Sequence, residues 1–167
     1  NRLSLERYDL GHQAVEINTR GVEISKKAAG DRTYVFASIG PSGRMLLTKE
    51  TTEDELQSVF EEQANAVSRA GANGIIVETM IDIVEAKIAA TAAKQTGLPV
   101  IASMVFDSGI DKDTTLMGVT PEAAVDEFTK IGVDGIGANC GQGIEGYIPI
   151  CRRLRTATDL AIWIKPN

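Results

Sequence analysis

A cysteine directly follows a short apolar run that has the length of a buried strand. Residues Gly135–Asn139 form this run, and Cys140 comes next in the chain. In proteins that alternate strands with helices, the carboxyl ends of parallel strands carry the chemistry. Cys140 is therefore a candidate nucleophile or metal ligand. The alternative is an inert cysteine, because a free cysteine also packs like a small hydrophobic side chain.

A glutamate ends a second apolar run. Ile75, Ile76 and Val77 precede Glu78 and Thr79. A carboxylate in such a run must be paired or hydrogen-bonded, since burying an isolated charge is costly. Glu78 is expected either to form a structural ion pair or to hold a cationic group, such as the ammonium of an amino acid. Other residues that end apolar runs, or closely follow them, are Ser38, Gly40, Ser42, Asp107, Lys165 and Asn167.

Several kinds of chemistry lack support in the sequence. His12 is the only histidine and is expected to be exposed on an amphipathic helix, so a Cys–His nucleophilic pair is not indicated. Cys151 is expected to pack against other side chains and not to act as a metal ligand. One cysteine cannot complete a tetrahedral zinc site, which takes three or four protein ligands. A metal site at Cys140 would need ligands from outside this segment.

Five apolar runs of strand length must position these residues. The runs are nearly continuous in Val, Ile and Ala, which is typical of strands buried on both faces of a parallel sheet. The segments between them have helical periodicity. This rhythm predicts an α/β barrel or a doubly wound sheet. The predicted strands are Tyr34–Ile39, Gly74–Glu78, Val100–Phe106, Gly135–Asn139 and Ala161–Lys165.

A weak internal repeat supports a single sheet. Ala70–Ile75 and Ile131–Ile136 both contain a glycine suited to ending a helix, then a tight turn and the start of an apolar run. The repeat predicts that Glu78 and Cys140 emerge on the same face of one sheet. No Gly-x-Gly-x-x-Gly follows the first predicted strand, which counts against a dinucleotide-binding fold.

Helix boundaries are marked by capping signals. Thr52 and Glu55 have the spacing of a capping box. Thr120 followed by Pro121 predicts an N-cap with a proline in the first turn of the next helix.

Length and charge narrow the classes of function. The 167 residues suit one domain or part of a larger one, and the net charge of −6 argues against a nucleic-acid or anionic-membrane partner. Two cysteines suit a reducing compartment, and neither a signal peptide nor an apolar stretch of roughly 18 residues occurs. A cytoplasmic protein is expected. The chain begins at Asn1 and stops as a predicted strand finishes, so truncation at both ends is also expected.

Four short motifs resemble a known family. Ala37–Gly43, Val77–Met80, Gly137–Cys140 and Lys165–Asn167 occur in the order and approximate spacing of the homocysteine S-methyltransferase domain. That zinc-dependent (β/α)8 TIM barrel is found in cobalamin-dependent methionine synthase and in betaine–homocysteine methyltransferase. The resemblance implies that residues 1–167 are part of one such barrel domain and cover about strands 3 to 7.

The resemblance also implies roles for individual residues. Cys140 would be the first of the family's zinc-binding cysteines, at the end of the sixth strand, and the other ligands would lie beyond residue 167. Glu78 would hold the homocysteine ammonium, and Asn139 would orient or contact the substrate. Thr79 and Ser38 complete the expected substrate-binding residues.

The implied reaction is methyl transfer to the homocysteine thiol, which forms methionine. Zinc would activate the thiol, and methylcobalamin on a separate module, recharged from methyltetrahydrofolate, would be the donor. Two alternatives remain open. One is a barrel enzyme of another class, such as an aldolase with Lys165 as its Schiff-base lysine or a phosphate-binding synthase. The other is a non-catalytic, truncated relative that binds no metal.

Overall fold

Five parallel strands form one sheet in the order in which they occur along the chain. The computed structural model describes residues 1–167, and the strand order β1-β2-β3-β4-β5 contains no reversal. A doubly wound sheet reverses its order at a switch point, whereas a barrel adds each strand beside the previous one. The sheet is therefore an arc of a barrel, as predicted. The strands are Phe36–Ile39 (β1), Gly74–Met80 (β2), Val100–Met104 (β3), Gly135–Asn139 (β4) and Ala161–Lys165 (β5).

Helices connect the strands and pack side by side in chain order. A short 3-10 helix, Gly11–Gln13, separates the first two helices. None of the helices is long and apolar enough to cross a membrane. The α-helices are Arg2–Glu6 (α1), Ala14–Ala29 (α2), Glu53–Arg69 (α3), Ile83–Lys94 (α4), Pro121–Ile131 (α5) and Ile144–Ala157 (α6).

The core lies between the sheet and these helices. Ile39, Val77 and Ile136 are fully buried in it, together with Phe60 of α3 and Phe128 of α5. The opposite, concave face of the sheet is more open. Its side chains include Phe36 at one edge strand and Trp163 at the other, which are 41% and 43% exposed.

The predicted helix caps are present, with one difference. The Thr52 hydroxyl accepts the N–H of Glu55 at 3.2 Å. The carboxylate of Glu55 does not return to the Thr52 N–H but accepts the hydroxyl of Thr51 at 2.7 Å, so only half of the capping box forms. Thr120 caps α5, which has Pro121 in its first turn.

The repeat found in the sequence has a physical basis. The Asn73 side-chain oxygen accepts the N–H of Val35 at 2.9 Å, just before β1. In the second copy, Asp134 accepts the N–H of Val100 at 2.8 Å, at the start of β3. The backbone N–H groups of Asn73 and Asp134 return to the carbonyls of the same two residues. Each copy therefore fastens the start of its own strand to the start of the strand before it.

Some predicted boundaries and positions were wrong. β1 starts at Phe36 rather than Tyr34, because the N–H of Val35 is taken by Asn73. β3 ends at Met104 rather than Phe106, whose carbonyl accepts a side-chain amide instead of a strand partner. His12 is exposed as predicted, but it lies in the 3-10 helix and not on an amphipathic α-helix.

Candidate functional site

Three strand ends bring a carboxylate, a hydroxyl and an ammonium together. The Ser38 hydroxyl donates to Glu78 Oε1 at 2.8 Å. Lys165 Nζ lies 3.2 Å from Glu78 Oε2. The Glu78 side chain is 11% exposed, whereas that of Lys165 is 60% exposed. Glu78 thus forms an ion pair, and its cation is an alkylammonium on a side chain that solvent can reach.

A second group of hydrogen-bonded residues joins the ends of β2 and β4. Asn139 Oδ1 accepts the backbone N–H of Thr79 at 2.9 Å, and Asn139 Nδ2 donates to Thr79 Oγ1 at 2.8 Å. Ser103 of β3 donates its hydroxyl to the same Oδ1 at 2.7 Å. Asn139 Nδ2 also lies 3.3 Å from the Sγ of Cys140.

These contacts use the full hydrogen-bonding capacity of the Asn139 side chain. A primary amide has two acceptor lone pairs and two donor hydrogens, and all four have protein partners here. The residue is 1% exposed. The arrangement suits a residue that orients its neighbours, and leaves it no free group for a direct bond to a ligand.

The thiol of Cys140 is half-buried beside these groups. Its Sγ lies 3.9 Å from the Thr79 hydroxyl as well as beside the Asn139 amide. The backbone is left-handed at both strand ends, with φ of 66° at Thr79 and 57° at Cys140. A β-branched residue such as Thr79 rarely adopts this conformation, and such strain persists where surrounding contacts enforce it.

Tyr147 of α6 and Gln142, in the turn before α6, anchor the segment that follows β4. The buried Tyr147 hydroxyl lies 2.8 Å from the Asn139 carbonyl oxygen and 2.6 Å from that of Cys140. Gln142 Nε2 donates to the carbonyls of Phe106 and Lys112 in the β3–α5 loop. Burial, and then the nearby Cys140 and Asp107, raise the pKa of Tyr147 to about 12, so the phenol stays a neutral donor near neutral pH.

The loop after β1 is anchored by a buried carboxylate. Glu85 of α4 is 5% exposed, and its Oε1 accepts the N–H of Ser42 at 2.7 Å. Burial raises the pKa of Glu85 above its ordinary value, and the bonds from Ser42 partly oppose this rise. On the opposite side of the loop, Asn1 and Ser4 donate side-chain hydrogen bonds to the carbonyl of Pro41 at 3.1 and 3.0 Å.

Comparison with known proteins assigns the chain to a family. Residues 1–167 match the sequence profile described as homocysteine S-methyltransferase. The chain belongs to the homocysteine S-methyltransferase family. The resemblance carried by the four short motifs is confirmed. Membership sets aside the aldolase and phosphate-binding synthase alternatives.

Individual relatives are longer than this chain. It is 25% identical to the methionine synthase of Mycobacterium tuberculosis and 26% identical to that of Mycobacterium leprae. The match covers 100% of this chain and 15% of the length of each relative. The metallated form of the homocysteine methyltransferase MmuM from Escherichia coli has a similar fold, with a TM-score of 0.82 and 19% identity. That match covers 100% of this chain and 63% of MmuM.

The sequence-predicted candidates fall into two groups. Six of them meet at the carboxyl ends of the strands, in the two adjoining groups described above. Asp107 is exposed and bonded to the hydroxyl of Ser108, and Cys151 lies within α6. No group of three or more His, Cys, Asp or Glu side chains could hold a metal ion. The six that meet are Ser38, Glu78, Thr79, Asn139, Cys140 and Lys165.

Sequence reasoning missed three residues that support the site. Ser103 was detectable, since a hydroxyl inside the apolar run of β3 needs a partner when buried. Glu85 and Tyr147 carried no comparable signal. Each lies on a helix, where a glutamate is usually exposed to solvent and a tyrosine usually packs against the core.

Proposed function

We propose that the chain carries part of the homocysteine site of a zinc-dependent methyltransferase that forms methionine. One observation carries the proposal: the Cys140 thiol lies at a strand end, against the Asn139 amide and near the Thr79 hydroxyl. Glu78, directly before Thr79 on β2, lies at the same edge of the sheet. The pair provides a thiolate ligand and a carboxylate for an ammonium in one place.

Cys140 fits a zinc ligand by its chemistry and surroundings. It is a free cysteine, and the Asn139 N–H group that faces its Sγ would stabilise a thiolate. The remaining ligands would come from residues beyond this sequence. When bound, zinc would deprotonate the homocysteine thiol while leaving it nucleophilic. A reducing compartment such as the cytoplasm would keep Cys140 available as a thiol.

The other residues would bind and orient the substrate. Glu78 would accept the homocysteine ammonium in place of Lys165, and the hydroxyl of Ser38 would hold the carboxylate in position. Asn139 would fix the ends of β2 and β4 relative to each other. Thr79 would present its hydroxyl between the carboxylate and the thiol.

The proposal also covers the methyl donor and the barrel domain to which the chain belongs. We propose that residues 1–167 are part of one (β/α)8 barrel domain and that the open carboxyl-end face admits the methyl donor. Methylcobalamin on a separate module, recharged from methyltetrahydrofolate, is the donor we favour. The similarity to two mycobacterial methionine synthases supports this choice over other donors.

The test is the zinc content of the full-length protein, measured for the wild type and two matched variants. Cys140→Ser should abolish zinc binding and homocysteine methylation. Cys151→Ser, which changes the other cysteine of the chain, should leave both unchanged. A wild type that binds no zinc would favour the non-catalytic alternative. Zinc retained by Cys140→Ser would refute the assigned role of Cys140.

A further inference from the structure

A buried tyrosine contacts the two backbone carbonyl groups that lie on either side of the Cys140 Cα. Tyr147 is 1% exposed. Its hydroxyl lies within hydrogen-bond distance of the carbonyl oxygens of Asn139 and Cys140, at 2.8 and 2.6 Å. The single phenolic hydrogen can serve either oxygen or be shared. No other side-chain donor reaches either of these two carbonyls.

The backbone of Cys140 needs such support. For an L-residue other than glycine, the left-handed conformation costs roughly 1–2 kcal/mol. The N–H of Cys140 donates to the carbonyl of Lys165 on β5 at 3.2 Å, which fixes one side of the residue. On the other side, its carbonyl accepts the N–H of Gln142 and faces the Tyr147 hydroxyl. Neighbouring elements thus hold the strained residue at both ends.

The hydroxyl of Tyr147, rather than its ring, makes this arrangement specific. A phenylalanine would fill the same space between α6 and the sheet. A buried tyrosine hydroxyl must find a partner, and the carbonyls of Asn139 and Cys140 are its partners here. Helix α6 is consequently linked to the one residue whose side chain would bind zinc.

We propose that Tyr147 is the positioning residue of Cys140. Its hydroxyl holds the left-handed backbone that turns the Cys140 Sγ toward Asn139 and Thr79. The zinc-related part of this inference rests on the proposed function, whereas the orientation of the thiol does not. Loss of the hydroxyl would free the thiol from its sheltered position and leave zinc with a less well placed ligand.

The experiment compares Tyr147→Phe with a control that weakens the same core. Phe128→Leu on α5 removes buried ring atoms without removing a hydrogen-bond donor. In metal-free protein, iodoacetamide alkylation of Cys140 is measured by mass spectrometry relative to Cys151. We expect Tyr147→Phe to raise this ratio several-fold and Phe128→Leu to leave it unchanged.

Zinc affinity gives the second measurement, by competition with a chromophoric chelator. Changes in residues that orient a metal ligand typically lower affinity 10–100-fold, and we expect a loss of about tenfold for Tyr147→Phe. A wild-type alkylation ratio and wild-type affinity in Tyr147→Phe would overturn the inference, even if the variant melts at a lower temperature. If Cys140→Ser also keeps its zinc, the proposed function fails, and the alkylation ratio still decides the role of Tyr147.

Discussion

Asn139 and Thr79 close a ring between the ends of β4 and β2. The amide oxygen of Asn139 accepts the Thr79 N–H at 2.9 Å, and its nitrogen donates to the Thr79 hydroxyl at 2.8 Å. The ring holds Thr79 in a conformation that its β-branched side chain disfavours. Two strands that are not neighbours in the sheet are thereby fixed at the height of the thiol and the carboxylate.

Replacing Asn139 by alanine should destabilise the fold substantially. The N–H of Thr79 and the hydroxyl of Ser103 would lose their acceptor. Each unsatisfied buried donor costs about 1–3 kcal/mol, so the free energy of unfolding should fall by about 3 kcal/mol in urea titrations. Ser103→Ala is the matched control and should lose only about 1 kcal/mol, because it removes one donor and leaves the ring with Thr79 intact. Equal losses in the two variants would contradict the account of Asn139.

Removing the charge of Glu78 should weaken homocysteine binding. A hydrogen bond to a charged group contributes about 1.5–3 kcal/mol, so Glu78→Gln should raise the Kd for homocysteine by at least about tenfold. The turnover number should change less, because the proposed contact of Glu78 with the ammonium would be the same before and during methyl transfer. Calorimetric titration measures the Kd. Glu16→Gln, which changes an exposed glutamate on α2, should bind like the wild type.

Removing Lys165 should have the opposite effect on binding. Its ammonium is paired with Glu78 at 3.2 Å, and under the proposed function it would have to move aside for the ammonium of homocysteine. We expect Lys165→Met to lower the Kd for homocysteine several-fold and Lys165→Arg to keep it near the wild-type value. Weaker binding by Lys165→Met would instead show that the lysine contacts the substrate itself.

The pH dependence of stability should report the burial of Glu85. Its pKa is raised in the folded chain above the ordinary value of 4.5, so the folded state holds the proton more tightly than the unfolded state. The contribution of Glu85 to stability is therefore largest below that value and is lost as the pH rises through the raised pKa. Glu85→Gln removes this titration while keeping an acceptor for the Ser42 N–H.

The measurement is urea unfolding of the wild type and Glu85→Gln between about pH 4 and pH 8. The variant should gain stability relative to the wild type as the pH rises through this range. Glu16→Gln should follow the wild-type curve throughout. Parallel curves for Glu85→Gln and the wild type would show that the carboxylate titrates alike in the folded and unfolded chains.

The layout of the sheet was predictable because its strands are buried on both faces. The continuous apolar runs indicated five parallel strands, and their ends indicated that Ser38, Glu78 and Cys140 share one edge. The contacts between these residues were not predictable. They depend on strand register, such as the pairing of Ser38 with Ile76, which no local pattern specifies.

The contact of Tyr147 with Cys140 and the left-handed backbone at Thr79 could not be predicted from the sequence. Tyr147 approaches Cys140 only because α6 folds back over the end of β4. The left-handed backbone at Thr79 runs against its local preference, since glycine or asparagine would be expected there. Tertiary hydrogen bonds enforce both features, and such bonds have no signature within a short window of sequence.

The side chains of Asn73 and Asp134 lie at the amino ends of the strands, opposite the candidate site. There they fix the register of neighbouring strands. Each fastens the beginning of one strand to its neighbour. A slip of one residue would turn every side chain of a strand to the other face. A molecule with β2 misaligned in this way would bury Glu78 among the helices and leave the concave face without its carboxylate. Hydrogen bonds at one end of the sheet thus determine which side chains stand together at the other end.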